Sequence, residues 1–210
     1  ILLQALDHHP EVVTAFGDQS LLDDEGKQCA SFLADKPVQA LPYSQGDAGM
    51  RILTQGLWAA LIPGNFVPTS GCMTRRDTLV AVGLFDESLK TSEDRDLWLQ
   101  VSRQGSFGLL PTRLARKREH TSSLTRTQGH VLLREQACIV IAKQPRNADR
   151  LGLSESEIAV TRTALAQECT DLRYSASFEG VTSYRRARQF LSNISSQDTE
   201  RDFRGWVRAI

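Results

Sequence analysis

Strand-like sequence ends near residue 125, and this break constrains the fold more than any other feature. Up to that point the chain alternates β-branched apolar runs with Gly- and Pro-punctuated turns and short helical patterns. Beyond it no strand pattern survives. "HVLLREQACIVIAK" reads as helix, and "SESE" at 154–157 is a capping box with Ser154 and Glu157 in the reciprocal roles. Ile158, Leu165 and Leu172 follow in helical phase. Val181, Tyr184, Ala187 and Leu191 mark another helix, and Phe203, Trp206, Val207 and Ile210 a short last one. The expected organisation is a mixed α/β segment over 1–125 and an all-helical extension over 126–210.

Within the first segment, Leu2, Leu3 and Leu6 read as the last turns of a helix that Pro10 stops. "VVTAFGD" (12–18) reads as a buried strand, and "SLLDDEGK" as a short strand and a turn at Asp24-Glu25-Gly26. Residues 31–46 read as loop. Met50, Leu53, Leu57 and Leu61 recur at helical spacing and predict a helix over about 47–61, ended by Pro63-Gly64. "RDTLVAVGLF" predicts a short helix closed by Gly83. Ser92 is placed to cap a helix over 93–104, and "SFGLLPTRLAR" reads as one strand or two broken by Pro111. Trp98, Phe85 and Leu97 read as core.

Size and charge narrow the function classes. The chain has 210 residues, room for one sizeable domain and an appendage. Lys plus Arg equals Asp plus Glu at 25 each, so no net field favours nucleic acid. No run of about 18 apolar residues occurs, so no transmembrane helix is expected. The start "ILLQALDHHPEVV" lacks the pattern of a secretion signal. It begins mid-helix at Ile1 and reads as a piece of a longer protein. Cys29, Cys72, Cys138 and Cys169 are widely spaced with no C-x-x-C, which suits buried thiols in a reducing, cytoplasmic setting better than a disulfide or zinc framework.

The chemistry-bearing stretch is "FDESLKTSEDRDLWLQVSRQG", residues 85–105. A Glu93-Asp94 pair opens a helix. One reading is capping, where acidic side chains gain a few tenths of a kcal/mol from unpaired N–H groups and the helix dipole. The other is a general base aimed into a cleft to take a proton from a hydroxyl. His120, with Arg116, Lys117 and Arg118 around it, is either an idle strand-end histidine or part of an anion- or metal-binding group. The adjacent His8 and His9 read as surface.

Taken in order, Arg75 or Arg76, then Val82-Gly83-Leu84-Phe85-Asp86-Glu87, Glu93-Asp94, Asp96-Leu97-Trp98-Leu99 and Arg118-Glu119-His120-Thr121-Ser122-Ser123 resemble the second half of a family 2 inverting glycosyltransferase of GT-A fold. "HHPEVVTAFGDQSLLDDEGK" resembles the strand and turn that follow the donor site in that family. The resemblance covers roughly residues 1–125. It implies transfer of a sugar from a nucleotide-diphosphate sugar to a saccharide or lipid-linked acceptor hydroxyl, with inversion, as in polysaccharide biosynthesis.

In that reading Asp94 is the general base and Glu93 positions the acceptor. Phe66 and the small-residue turn Thr69-Ser70-Gly71 lie on the acceptor side, and Arg118 binds substrate. His120 lies at the metal and diphosphate. A divalent cation, Mg or Mn, is implied. The family's Asp-x-Asp motif and nucleotide-binding strands have no counterpart here, so the cation would be held mostly outside this sequence and the segment alone would be inactive. A different class of function fits the same residues: a non-catalytic helical interaction module on a remnant transferase domain. There the tail helices, with Phe203, Trp206 and Val207, would meet a partner chain or a membrane periphery.

Overall fold

A computed structural model describes residues 1–119 and 129–197, without the side chains of Cys29 and 195–197. The chain is mixed α/β and divides into two units. One comprises Ile1–Ser88 with Glu93–Thr121, and the other Leu89–Ser92 with Ser122–Ile210.

The first unit is built on a mixed, curled sheet. Helix α1 (Leu2–His8) leads into the long strand β1 (Val12–Leu22), then β2 (Gln28–Ser31), β3 (Tyr43–Gln45) and β4 (Arg51–Leu53). Helix α2 (Leu57–Leu61), strand β5 (Cys72–Thr74), helices α3 (Arg76–Val82) and α4 (Glu93–Val101) and strand β6 (Ser106–Arg118) follow. The sheet order is β2-β1-β6-β4-β3, and β5 also pairs with β1. β1 and β6 run parallel, whereas β1–β2, β1–β5, β4–β6 and β3–β4 are antiparallel. A parallel neighbour needs a crossover, and the helices between β1 and β6 supply it.

The continuous apolar run of β1 is explained by burial on both faces. Successive side chains point to opposite faces. Ala15 joins Ala5, Leu6 and Met50 in one cluster. Phe16 packs against Phe66 and Phe107, with ring centroids 6.1 and 6.4 Å away. Gly17 is required where β6 bulges toward β1. A Cβ there would strike the Thr112 carbonyl oxygen and lie 2.7 Å from Leu114 Cγ.

Several expectations hold. Strand 12–18 is present and buried, Gly26 closes its turn at φ +83°, and Gly83 ends α3 at φ +92°. Others are corrected. The predicted helix over 47–61 is a 3-10 turn (Asp47–Gly49), then β4, then α2. Ala48, Gly49 and Gly56 take left-handed φ values of 51°, 76° and 72°, which a helix cannot contain. Residues 51–53 instead pair with Phe107–Leu109 of β6. Met50, Leu53, Leu57 and Leu61 are still core, so their spacing reported burial and not geometry.

The 31–46 segment is not all loop, since Pro37–Ala40 forms a turn and Tyr43–Gln45 an exposed edge strand. Pro111 does not break β6. It is exposed and lies in the register gap between Leu109 and Arg113, where a missing N–H removes no ladder bond. Phe85 is 43% exposed and not core, unlike Leu97 and Trp98. Ser92 has φ +63°, not the extended backbone of an N-cap residue.

The second unit is helical throughout its described residues: α5 (Gly129–Arg146), α6 (Ala148–Leu151), α7 (Glu155–Glu179) and α8 (Val181–Gln197). The capping box is formed as expected, with Glu157 N–H donating to Ser154 Oγ at 3.2 Å and Ser154 N–H to Glu157 Oε2 at 2.9 Å. Leu165, Leu172, Ala187 and Leu191 are core, with Ile194. Val181 and Tyr184, which mark the same helix in the sequence, are exposed at the start of α8. The predicted last helix, with Phe203, Trp206, Val207 and Ile210, lies outside the described residues. No described helix is long and apolar enough to cross a membrane.

Candidate active site

The Glu93-Asp94 pair forms the first turn of α4. Both side chains are half-buried, and the residues behind them, Arg95 to Leu99, are buried. Asp94 is tied down at both oxygens. The Asn65 side-chain amide donates to Asp94 Oδ2 at 2.7 Å, and the Arg95 N–H donates to Oδ1 at 2.6 Å. Asn65 is itself fixed, because its Oδ1 accepts the Val67 N–H at 2.7 Å and its Nδ2 also donates to the Val67 carbonyl at 3.1 Å. Such side-chain-to-backbone rings are what Asn forms in tight loops.

Arg95 provides a second tie to the same region, donating from Nε to the Leu61 carbonyl at the end of α2 at 3.2 Å. The loop after α2 therefore orients the start of α4. A carboxylate has about four lone-pair sites, so two donors leave acceptor capacity for an incoming hydroxyl.

Thr69-Ser70-Gly71 is a 3-10 turn in the same loop, a few residues beyond Asn65. Thr69 and Ser70 are exposed, and Gly71 is buried against β1 and β6, its missing side chain facing Ala115 Cβ and the Gly17 carbonyl. One loop thus carries both the residue that holds Asp94 and the small-residue turn. Phe66 does not face an acceptor. It is fully buried on Phe16, because the loop needs an apolar anchor.

Arg118 is exposed at the end of β6, paired in register with Leu22. Nothing places it at Asp94. A groove of about 430 Å³ lined by Ser20, Gln28, Arg113 and Arg116 lies along that end of the strand. His120 lies outside the described residues. Arg75 is structural: its guanidinium donates to the Leu6, Val12 and His9 carbonyls and clamps α1 to β1. His8 is exposed as expected, but His9 is not idle surface. Its side chain is 16% exposed and lies 3.3 Å from Glu11 Oε1 and 3.6 Å from Asp47 Oδ2.

Sequence reasoning missed Asn65, Arg95 and Asp18. The Pro63-Gly64-Asn65 turn chemistry was the available signal for Asn65. Asp18 sits in β1 beside a cleft of about 280 Å³ also lined by Leu33, Gln39, Arg51, Leu109 and Pro111. Burial pushes its carboxyl up, but donors outweigh this. Ser31 Oγ at 2.7 Å, the Gln19 and Leu33 amides at 2.8 and 3.1 Å and Arg113 Nε at 3.2 Å hold it below the ordinary aspartate value.

A carboxyl lowered in the folded state stabilises the fold when ionised. That contribution is present above about pH 4, the unfolded aspartate value, and fades as pH falls through Asp18's own lower value. Asp18→Asn is expected to flatten the acid limb of a stability-versus-pH curve measured by urea denaturation, with little change in the slope above about pH 6.

Cys72, Cys138 and Cys169 are thiols. Burial pushes Cys72 up to about 11, which makes it a poor nucleophile. Among the described residues no group of three or more His, Cys, Asp or Glu is placed to hold a metal ion. No protein-family model matches the chain, and no curated protein matches it.

Proposed function

We propose that the α/β unit is the acceptor-side half of an inverting, GT-A-type glycosyltransferase that moves a sugar from a nucleotide-diphosphate donor to an acceptor hydroxyl. The observation that carries this reading is Asp94: a half-buried carboxylate at the start of α4, held at one oxygen by Asn65 and at the other by the Arg95 amide. A general base needs to be fixed within hydrogen-bond reach of its proton, and this arrangement supplies the fixing. The ordered series from Val82 to Glu87, Glu93-Asp94 and Asp96 to Leu99 supports the same reading. Asp94 takes the acceptor proton as the hydroxyl oxygen attacks the anomeric carbon from the face opposite the leaving diphosphate. Glu93, beside it, orients the acceptor, and the exposed Thr69 and Ser70 let a sugar approach the backbone at Gly71.

Among the described residues no group is placed to hold a cation, and this reading assigns the Mg or Mn ion to residues outside them. Donor binding is the direct test. Calorimetric titration of the full-length protein with uridine- and guanosine-diphosphate sugars, with and without manganese, is expected to show binding that strengthens with the ion. Absence of any nucleotide-sugar binding overturns the transferase reading. It leaves the interaction-module reading, which the exposed, edge-to-face pair Tyr174 and Phe178 on α7 favours.

A further inference from the structure

The helical unit contains two cysteines that play no part in the transferase reading. Cys138 on α5 is fully buried and Cys169 on α7 is 2% exposed. Side-chain contacts show how the two helices run. At the start of α5 the Val131 N–H donates to Glu179 Oε1, at the end of α7, at 3.4 Å. One turn further along α5, Arg134 Nη1 lies 2.8 Å from Glu168 Oε2 and 3.4 Å from Asp171 Oδ2. Numbers rise on α5 as they fall on α7, so the helices are antiparallel. The same register carries Cys138, one turn beyond Arg134, to the Leu165–Cys169 turn of α7. Both cysteines lie in one apolar cluster with Leu165, Leu172 and Ala142.

We propose that Cys138 and Cys169 are a dithiol site that a two-electron oxidant of the peroxide class closes into a disulfide tying α5 to α7. The environment assigns the order of events. The Cys138 hydrogen bond, opposed by burial and by Glu168 and aided by Arg173, holds the Cys169 thiol below its ordinary value. A lowered thiol carries more thiolate, the form that attacks a peroxide. The Cys169 sulfur attacks one peroxide oxygen and the O–O bond breaks. The departing hydroxide leaves as water with the Cys169 proton, and a sulfenic acid remains. Cys138 sulfur then attacks Cys169 sulfur, the S–O bond breaks, and hydroxide leaves as a second water with the Cys138 proton. Two thiols and one peroxide give one disulfide and two waters.

Because both sulfurs are buried, the oxidant reaches them only as the helices part. The bond, once made, opposes that parting. Ala187 and Leu191 of α8 pack in the same cluster, so the tie would sit inside the core that the three helices share. This inference concerns the helical unit and does not depend on the transferase reading.

The test uses the full chain carrying Cys29→Ser and Cys72→Ser, which leaves this pair alone. The folded protein is treated with hydrogen peroxide, then alkylated in guanidinium and weighed intact. The expected product is lighter by two hydrogen atoms and takes up no alkylating agent. It yields a Cys138–Cys169 cross-linked peptide, reverts with dithiothreitol and melts at a higher temperature than the reduced form. Adding Cys138→Ser is expected to stop the reaction at a sulfenic acid on Cys169 that dimedone traps. Two alkylated cysteines after peroxide overturn the proposal. So does Cys169 driven to the sulfinic acid beside an untouched Cys138, and so do cross-links found only between chains.

Discussion

Under the proposed transferase function, Asp94→Asn in the full-length protein is expected to lower sugar transfer about a hundred- to ten-thousand-fold, the usual cost of losing a general base. The amide has the size of the carboxylate and can keep one contact. Its oxygen can accept from the Asn65 amide or the Arg95 N–H, whichever it faces, where the carboxylate accepts both. Fold and donor affinity are therefore expected to change little. The check is transfer rate, donor affinity and melting temperature on one purified preparation. Full activity in the variant returns the Glu93-Asp94 pair to helix capping. Glu93→Gln, measured beside it, is expected to cost less if Glu93 only orients the acceptor.

Phe16→Ala is expected to be the most damaging single truncation in the α/β unit, at about 3–5 kcal/mol. Phe16 is fully buried in the middle of β1 and touches the rings of Phe66, from the loop that carries Asn65, and Phe107, from β6. Removing it leaves a cavity under that loop, which packed neighbours fill only in part. On a unit of this size the melting temperature is expected to fall by on the order of 10 °C. Phe85→Ala is the control. Its side chain is 43% exposed, and its truncation is expected to cost no more than about 0.5 kcal/mol. Similar losses for the two variants in urea denaturation would show that the aromatic trio is not the centre of this core.

Local signals were legible in the sequence wherever a residue's own chemistry decides its conformation. The Ser154–Glu157 capping box, the left-handed glycines Gly26 and Gly83 and the buried run of β1 all formed as read. So did the helical texture of residues 129–197, because long apolar stripes at helical period have no other way to be buried together. The Glu93-Asp94 pair at the head of α4 was legible for the same reason.

Only the tertiary structure decided the 47–61 segment. Its apolar spacing fits a helix, but an open edge of β6 and three left-handed residues made Arg51–Leu53 a strand. Pairing of residues 51–53 with 107–109 outweighs local phase, and a sequence window does not contain the partner. The same holds for Asn65, Phe66 and Cys169. Asn65 meets Asp94 from 29 positions away, Phe66 turns inward to Phe16, and Cys169 shares one apolar cluster with Cys138 of another helix. What each residue type can do is written in the sequence. Which neighbour it does it with depends on how strands and helices distant in the chain pack, because hydrogen bonds and thiol contacts act only over a few ångströms.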